Sequence, residues 1–317
     1  MIEGNGETPK GMEKSAKSEG FKSGFVVLLG RPNAGKSTLM NALLGSKLSI
    51  VSPQPQTTRH KILGILDRDD AQLCFLDTPG LVPDPDDPLQ KALRKTAAIS
   101  AKEDPDVLVL VVEPRKPDQK TVEELTALAK GERPVILAIN KTDLPFAAKE
   151  IDSVAAAYAQ VIRLAATVRI SALKKQGLDD LLKEIVGRLP EGEPFYEKGQ
   201  LSDRWERFFA TEIVREQLFS LYKEEIPHAT AVMIEQFIEE KGSVDLVRAT
   251  LYVERDGQKG ILLGKRGDAL RRLQDRARSA LESFLGRPVD LELWIKVRKN
   301  WRKDPKSLAE FGYMGEK

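Results

Sequence analysis

The stretch Gly30-Arg31-Pro32-Asn33-Ala34-Gly35-Lys36-Ser37 constrains this chain more than any other, and it directly follows the apolar run Phe25-Val26-Val27-Leu28-Leu29. It fits the pattern Gly, four residues, Gly, Lys, then Ser or Thr, between a strand-like run and a helix-like pattern (Thr38, Leu39, Met40, Ala42, Leu43, Leu44). In such a loop the glycines let the backbone curl so that successive N–H groups point at phosphate oxygens. The helix that follows adds the positive end of its dipole. The expected contacts run from Gly30 to Thr38, with Lys36 on the β and γ phosphates and the Ser37 hydroxyl on Mg²⁺. The stretch reads as a nucleotide site.

At 317 residues the chain has room for two domains, each with its own core, and 41% hydrophobic with 31% charged residues describes a globular protein. The single cysteine, Cys74, lies in an apolar run; it excludes an intramolecular disulfide framework and suits a reducing cytosol. Two histidines and one cysteine offer no His/Cys metal cluster. Residues 1–23 are rich in Gly, Lys, Glu and Ser, and a flexible tail is expected there. No stretch reads as a signal peptide or a membrane span, so a cytoplasmic location is expected.

The first domain is expected over residues 24–190. Ser46–His60 is polar and contains Pro53 and Pro55, so it reads as a loop able to move. A threonine in it can complete Mg²⁺ coordination, Thr58 being favoured over Thr57. Two strand candidates, Lys61–Leu66 and Ala71–Leu76, run into Asp77-Thr78-Pro79-Gly80. An acid in that place can hold a Mg²⁺-bound water, and Gly80 can offer its N–H to the γ-phosphate. Leu81–Leu89, with Pro83, Pro85 and Pro88 between aspartates, is expected to be a second mobile loop.

Strands at Val107–Val112 and Pro134–Ile139 alternate with a helix at Gln119–Lys130, and the later strand delivers Asn140-Lys141-Thr142-Asp143. The Asp143 carboxylate can accept from N1–H and the 2-amino group of guanine, a donor pair that adenine lacks. The site therefore selects its base through buried polar groups that a wrong partner leaves unpaired. Lys141 is expected along the base and Asn140 as a tie between loops. After a helix at Glu150–Leu164 and a strand at Thr167–Ile170, Ser171-Ala172-Leu173 can offer backbone N–H groups to the guanine oxygen, and a helix at Leu178–Arg188 closes the domain. This order predicts an α/β fold with a doubly wound, mostly parallel sheet and ligand at its C-terminal edge. The five elements from Gly30 to Leu173 resemble the guanine-nucleotide-binding domain; an ATPase has no counterpart to Asp143.

A linker is expected at 191–200, followed by a smaller α+β domain at 201–317. A helix at Asp203–Tyr222 precedes strands at Ala229–Ile238 and Val244–Val253. A turn at Asp256-Gly257 and a single helical turn at Gly260–Leu263 lead into Gly264-Lys265-Arg266-Gly267. A long helix to Phe284 and a strand at Val289–Val297 follow. That order is the topology of a type II KH domain, in which the Gly-x-x-Gly loop clamps a single-stranded backbone. Charge agrees: from Ile261 to Lys317 there are 14 basic and 8 acidic residues, against 8 and 12 from Leu201 to Gly260. Gly264, Lys265, Arg266, Gly267, Arg271 and Arg272 are the candidate RNA-binding residues. Trp301 either stacks on a base or anchors the tail.

A GTPase domain followed by a type II KH domain resembles the bacterial Era family, GTPases that assist maturation of the small ribosomal subunit. Pro55-Gln56-Thr57-Thr58-Arg59 and Leu291-Glu292-Leu293-Trp294-Ile295-Lys296-Val297-Arg298-Lys299-Asn300-Trp301 carry the resemblance beyond the motifs above. It implies GTP and GDP as ligands with Mg²⁺, and binding near the 3′ end of small-subunit ribosomal RNA within the subunit precursor. It also implies a monomer and peripheral contact with the inner membrane. A surface that docks a protein or anionic lipid is the alternative use of the second domain. The hydrolysis residues implied are Lys36, Thr58, Gly80 and Asn33; in related GTPases with Asn at that position, a bound K⁺ supplies the positive charge. Leu81 stands where many such proteins have a water-orienting glutamine, so slow intrinsic hydrolysis is expected.

Overall fold

The computed structural model describes residues 20–52, 54–81, 85, 87–102, 105–128, 131–239 and 244–314. Residues 1–19 of the tail expected at 1–23, and part of the loop expected at 81–89, lie outside the described residues. Strands β1 (Lys22–Leu29), β2 (Ile62–Asp67), β3 (Ala71–Asp77), β4 (Val107–Val112), β5 (Val135–Ile139) and β6 (Ala166–Arg169) form one sheet in the order β2-β3-β1-β4-β5-β6. Only β2 runs antiparallel to its neighbour. Strands β3, β4 and β5 are buried at every residue, because helices cover both faces; β4 and β5 are continuous apolar runs and not alternating ones.

One face carries α1 (Lys36–Leu44) and α5 (Leu178–Val186), which bring Leu39, Met40, Leu181 and Ile185 against Val26, Leu28 and Val109. The other carries α2 (Pro88–Lys102), α3 (Gln119–Leu128) and α4 (Ala147–Ala159), with Ala97, Leu125 and Val154 against Val27, Leu108 and Leu137. The ligand loops after β1, β3, β5 and β6 leave the C-terminal ends of strands, and the loop at 46–60 enters antiparallel β2 at the same edge, so they meet there.

Several boundaries differ from the sequence expectation. Strand β1 begins at Lys22, paired with Ala71, and therefore starts inside the expected tail. Helix α2 begins within the stretch read as loop: the Asp87 carboxylate accepts from the Gln90 N–H at 2.8 Å, and Pro88 takes a first-turn position where its missing N–H costs nothing. Helix α4 starts at Ala147 and ends at Ala159, before Leu164.

The linker is also not a free tether. Ser23 donates from its backbone to Pro190 and from its hydroxyl to Glu193, the Gln72 side chain bonds Phe195 and Tyr196, and the Ile65 N–H donates to Leu201. The Ser202 hydroxyl fastens to the Leu63 carbonyl at 2.6 Å. Residues 190–202 are thereby stitched to β1, β2 and β3.

The second unit begins with α6 (Glu206–Leu221) and the short α7 (Glu225–His228). Strands β7 (Ala231–Ile238), β8 (Asp245–Val253) and β9 (Val289–Val297) form its sheet, with β7 and β8 antiparallel and β8 and β9 parallel. Between β8 and β9 lie α8 (Asp256–Leu263) and α9 (Asp268–Leu285). Asp256-Gly257 is not a turn but the start of α8: the Gln258 side chain accepts from the Glu254 and Arg255 N–H groups and caps it. Helix α9 buries Ala269, Leu273, Ala277 and Leu281, a four-residue spacing that sets one stripe on the sheet beside α6. The chain ends in α10 (Pro305–Glu310), capped by Asp304. Trp301 is fully buried and donates its indole N–H to the Ala229 carbonyl at 2.9 Å, so it anchors the tail. With Phe311 and Tyr313 it packs on Leu89 and Leu93 of α2, across from the first unit.

Candidate nucleotide site and nucleic-acid interface

A cleft of ≈ 740 Å³ opens at the C-terminal edge of the large sheet. Pro32, Asn33, Gly35, Lys36, Ser37, Thr38, Thr58, Gly80, Asn140, Lys141, Asp143, Ala172 and Leu173 all line it. The loop before α1 needs its glycines. Gly30 has φ 154° and Gly35 φ 96°; a Cβ on the first would sit 2.2 Å from the Val111 carbonyl oxygen, and on the second 2.3 Å from the Asn140 amide. Lys36 is buried and donates to the Gly30 and Arg31 carbonyls at 3.1 Å each, so its ammonium lies within the loop. Burial pulls it down to about 8, against the attraction of Asp77.

The Ser37 hydroxyl lies 2.9 Å from the Thr58 hydroxyl and donates to Asp77 Oδ2 at 2.7 Å. The other Asp77 oxygen, Oδ1, is buried and has no hydrogen-bond partner among the described residues. Burial pushes this carboxyl above its ordinary 3.8, with the Lys36 charge and the Ser37 hydroxyl opposing. Two hydroxyls and an unmet carboxylate oxygen form a hard-oxygen donor set that suits Mg²⁺.

At the other end of the cleft, Asn140 bridges two loops: its amide donates to the Ala34 carbonyl at 2.9 Å, and its carbonyl accepts from the Ala172 N–H at 2.9 Å. The Ser171 hydroxyl donates to Asp143 Oδ1 at 2.6 Å and orients that carboxylate.

Other expected residues act from behind the cleft. Thr78 donates to the Leu28 carbonyl at 2.9 Å, Ala34 and Pro79 are buried, and the Thr142 N–H donates to Ile170. Arg31 turns away to Asp118 at 2.7 Å. Leu81 packs into the core, and its N–H is taken by the Gly30 carbonyl at 3.1 Å. Glu113 lines the cleft and pairs with the Lys141 ammonium. It was missed in the sequence, although its place just after the fully buried β4, at the edge where ligand loops gather, is a usable signal.

The second candidate surface is the loop from α8 to α9. Gly264 (φ 71°) and Gly267 (φ 82°) both lie in the left-handed region, and Lys265 and Arg266 between them are exposed. A Cβ on Gly264 would sit 2.6 Å from that of Ala269, whereas Gly267 faces open space and is required for its backbone angle alone. Of the basic residues beyond, Arg272 is exposed. Arg271 pairs with Asp268, Arg298 with Glu310, and Arg302 turns inward to Glu254 at 2.7 Å. Arg271 stays exposed beside Arg272 within its pair, whereas Arg298 and Arg302 are drawn off the basic surface.

Residues 25–141 match the family model described as 50S ribosome-binding GTPase, and residues 225–302 match that of the KH domain. The GTPase Era of Lactobacillus delbrueckii subsp. bulgaricus is 42% identical over 92% of this chain and 96% of its own length. That of Xanthomonas oryzae pv. oryzae is 40% identical over 94% and 99%. Among solved structures, Aquifex aeolicus Era bound to GDP and AlF4⁻ superposes with a TM-score of 0.86 at 38% identity, covering 92% of this chain and 99% of that one. Era in complex with MgGDPNP and nucleotides 1506–1542 of 16S ribosomal RNA gives the same values. Similarity of this depth runs through both units and the segment joining them, and the chain belongs to the Era family of GTPases.

Proposed function

We propose that this GTPase is a nucleotide-controlled switch that binds the 3′-terminal region of small-subunit ribosomal RNA and assists assembly of that subunit. The observation that carries it is the loop between α8 and α9: two positive-φ glycines with exposed Lys265 and Arg266 between them. Backbone can approach a phosphodiester closely there while the two cations meet its charge. A relative of the same fold holds nucleotides 1506–1542 of 16S ribosomal RNA.

In the cleft, Ser37, Thr58 and, through a water, Asp77 are the residues that would hold Mg²⁺, which neutralises charge on the β and γ phosphates. Lys36 turns from the Gly30 and Arg31 carbonyls to those phosphates. Gly80 offers its N–H to the γ-phosphate; the Leu81 N–H is already engaged. Among the described residues no side chain qualifies as a general base, so hydrolysis rests on positioning and charge stabilisation and is slow without a partner. Asp143 reads guanine, held in place by Ser171. Asn33 is the residue that would hold a K⁺, which would add positive charge beside the phosphates; turnover is expected to be faster in K⁺ than in Na⁺ buffer, and equal rates would remove that ion from the mechanism.

The experiment is binding to single-stranded RNA copying the small-subunit 3′ end, with a GTP analogue or GDP, for wild type and Gly267→Asp. Tighter binding with the analogue, lost in the variant, is expected. Undiminished attraction of the variant to anionic vesicles, with no RNA binding by wild type, would instead assign the basic face to lipid.

A further inference from the structure

Thr58 and Arg59 are consecutive, yet they serve opposite sides of the molecule. Thr58 turns to Ser37 in the nucleotide cleft. Arg59 is buried in the second unit, where its fork donates to the Thr230 carbonyl at 3.1 Å, the Tyr313 hydroxyl at 3.2 Å, and the Pro227 and His228 carbonyls at 3.4 and 2.7 Å. Its guanidinium also faces the rings of Tyr313 and Trp301, 5.3 and 5.8 Å from their centroids. Trp301 and Tyr313 are the aromatic residues against which α2 seats Leu89 and Leu93. The loop that carries Thr58 and helix α2 therefore meet one knot of the second unit.

We propose that Arg59 is the positioning residue that couples Thr58 in the nucleotide cleft to the KH unit, its seat among the carbonyls of 227–230 and Tyr313 being the two-state contact. This rests on the RNA-switch reading above. Adjacent Cα atoms stay about 3.8 Å apart, so Thr58 cannot leave Ser37 by several ångströms while Arg59 keeps four acceptors in register. Intermediate positions are disfavoured, because a guanidinium drawn part-way out leaves buried carbonyls unmet. The unit can re-orient as the contact breaks. Since residues 190–202 are stitched to the large sheet, the hinge falls at Asp203–Trp205, immediately before α6.

The test uses the full chain and the 3′-end RNA, measuring affinity with a GTP analogue and with GDP for wild type, Arg59→Met and Arg59→Lys. Wild type should favour the analogue state by at least about fivefold, and both variants should bring that ratio towards one while RNA affinity with GDP stays within about twofold. If Arg59→Met does not fold, Arg59→Lys carries the test, because a single ammonium cannot serve the four acceptors at once. A purely structural role would lower RNA affinity equally in both nucleotide states, and that result, or a wild-type ratio in Arg59→Lys, overturns the coupling role. A wild type that binds RNA indifferently to nucleotide also overturns it but leaves RNA binding standing. A wild type that binds no RNA in either state sinks the RNA reading itself.

Discussion

In the proposed reading, Asp143 is the carboxylate that would set ligand choice. Ser171 donates to one of its oxygens, which fixes the plane in which the carboxylate accepts. Asp143→Asn replaces an acceptor by an amide whose N–H₂ would meet the guanine donors head-on. Two charge-assisted hydrogen bonds are lost, and GTP affinity should fall by about 10²–10⁴-fold. Xanthosine triphosphate, with a carbonyl at the 2-position, should gain affinity for the same variant. Competition of the two nucleotides against a fluorescent GDP analogue checks this, and an unchanged preference for guanine would place base selection elsewhere. At the phosphate end, buried Lys36 and Asp77 oppose each other's desolvation, which leaves Asp77 Oδ1 unmet and the cleft poised for a cation and an anion together.

Helix α6 and the loop at 46–60 form the polar seam between the two units. Buried Glu212 and Arg215 pair at 2.7 Å, and Arg215 also donates to the Thr57 carbonyl at 2.9 Å. Lys47 reaches Glu216 at 2.5 Å, and Gln54 donates to the Phe219 and Tyr222 carbonyls at 3.1 and 2.9 Å. This seam should be acid-labile. Burial, and then the charges of Arg59, Arg302 and Arg215, bring His228 down to about 4 from 6.5. Between those values the unfolded chain binds a proton that the folded chain does not, so stability falls as pH falls from 6.5 to 4. Burial alone would raise the Glu212 carboxyl, but Arg215 and His60 hold it at about 2, so its contribution is lost from 4.5 downwards. Melting at pH 4.5 is expected well below that at pH 7.5, and His228→Gln should remove the upper part of the loss. An identical pH profile in that variant would exonerate His228.

For the whole molecule, linkage sets the arithmetic. If a GTP analogue tightens RNA binding by some factor, saturating RNA must tighten analogue binding by the same factor, typically about 5–150-fold for such couplings. Titrating fluorescent GTP analogue and GDP with and without the 3′-end RNA checks this. An analogue affinity indifferent to RNA, beside RNA binding that depends on nucleotide, would mean that the two measurements do not report one equilibrium. The interface joins polar groups that can be rehydrated on opening to an apolar cluster of Trp301, Phe311 and Tyr313 on Leu89 and Leu93, whose exposure opposes opening.

The nucleotide motifs were legible because each needs fixed residue types at fixed spacing, and because apolar runs such as Val107–Val112 have no other stable place than a covered sheet. The Gly264–Gly267 loop was legible for the same reason: two backbone angles that favour glycine. Helix α2 and the full length of α8 were not, since prolines and glycines read locally as breakers, whereas Asp87 and Gln258 act as caps only once the chain has closed around them. Glu113 and Lys141 lie 28 residues apart and meet only through strand order. Arg59, a cation in a polar loop, becomes a buried charge of the seam because residues near 230 and 313 converge on it. The sequence by itself determined the chemistry of the two glycine-bearing loops proposed to meet phosphate. Only tertiary structure decided that the segment beside Ser37 is also the segment that holds the second unit, because that contact depends on three stretches distant in the chain.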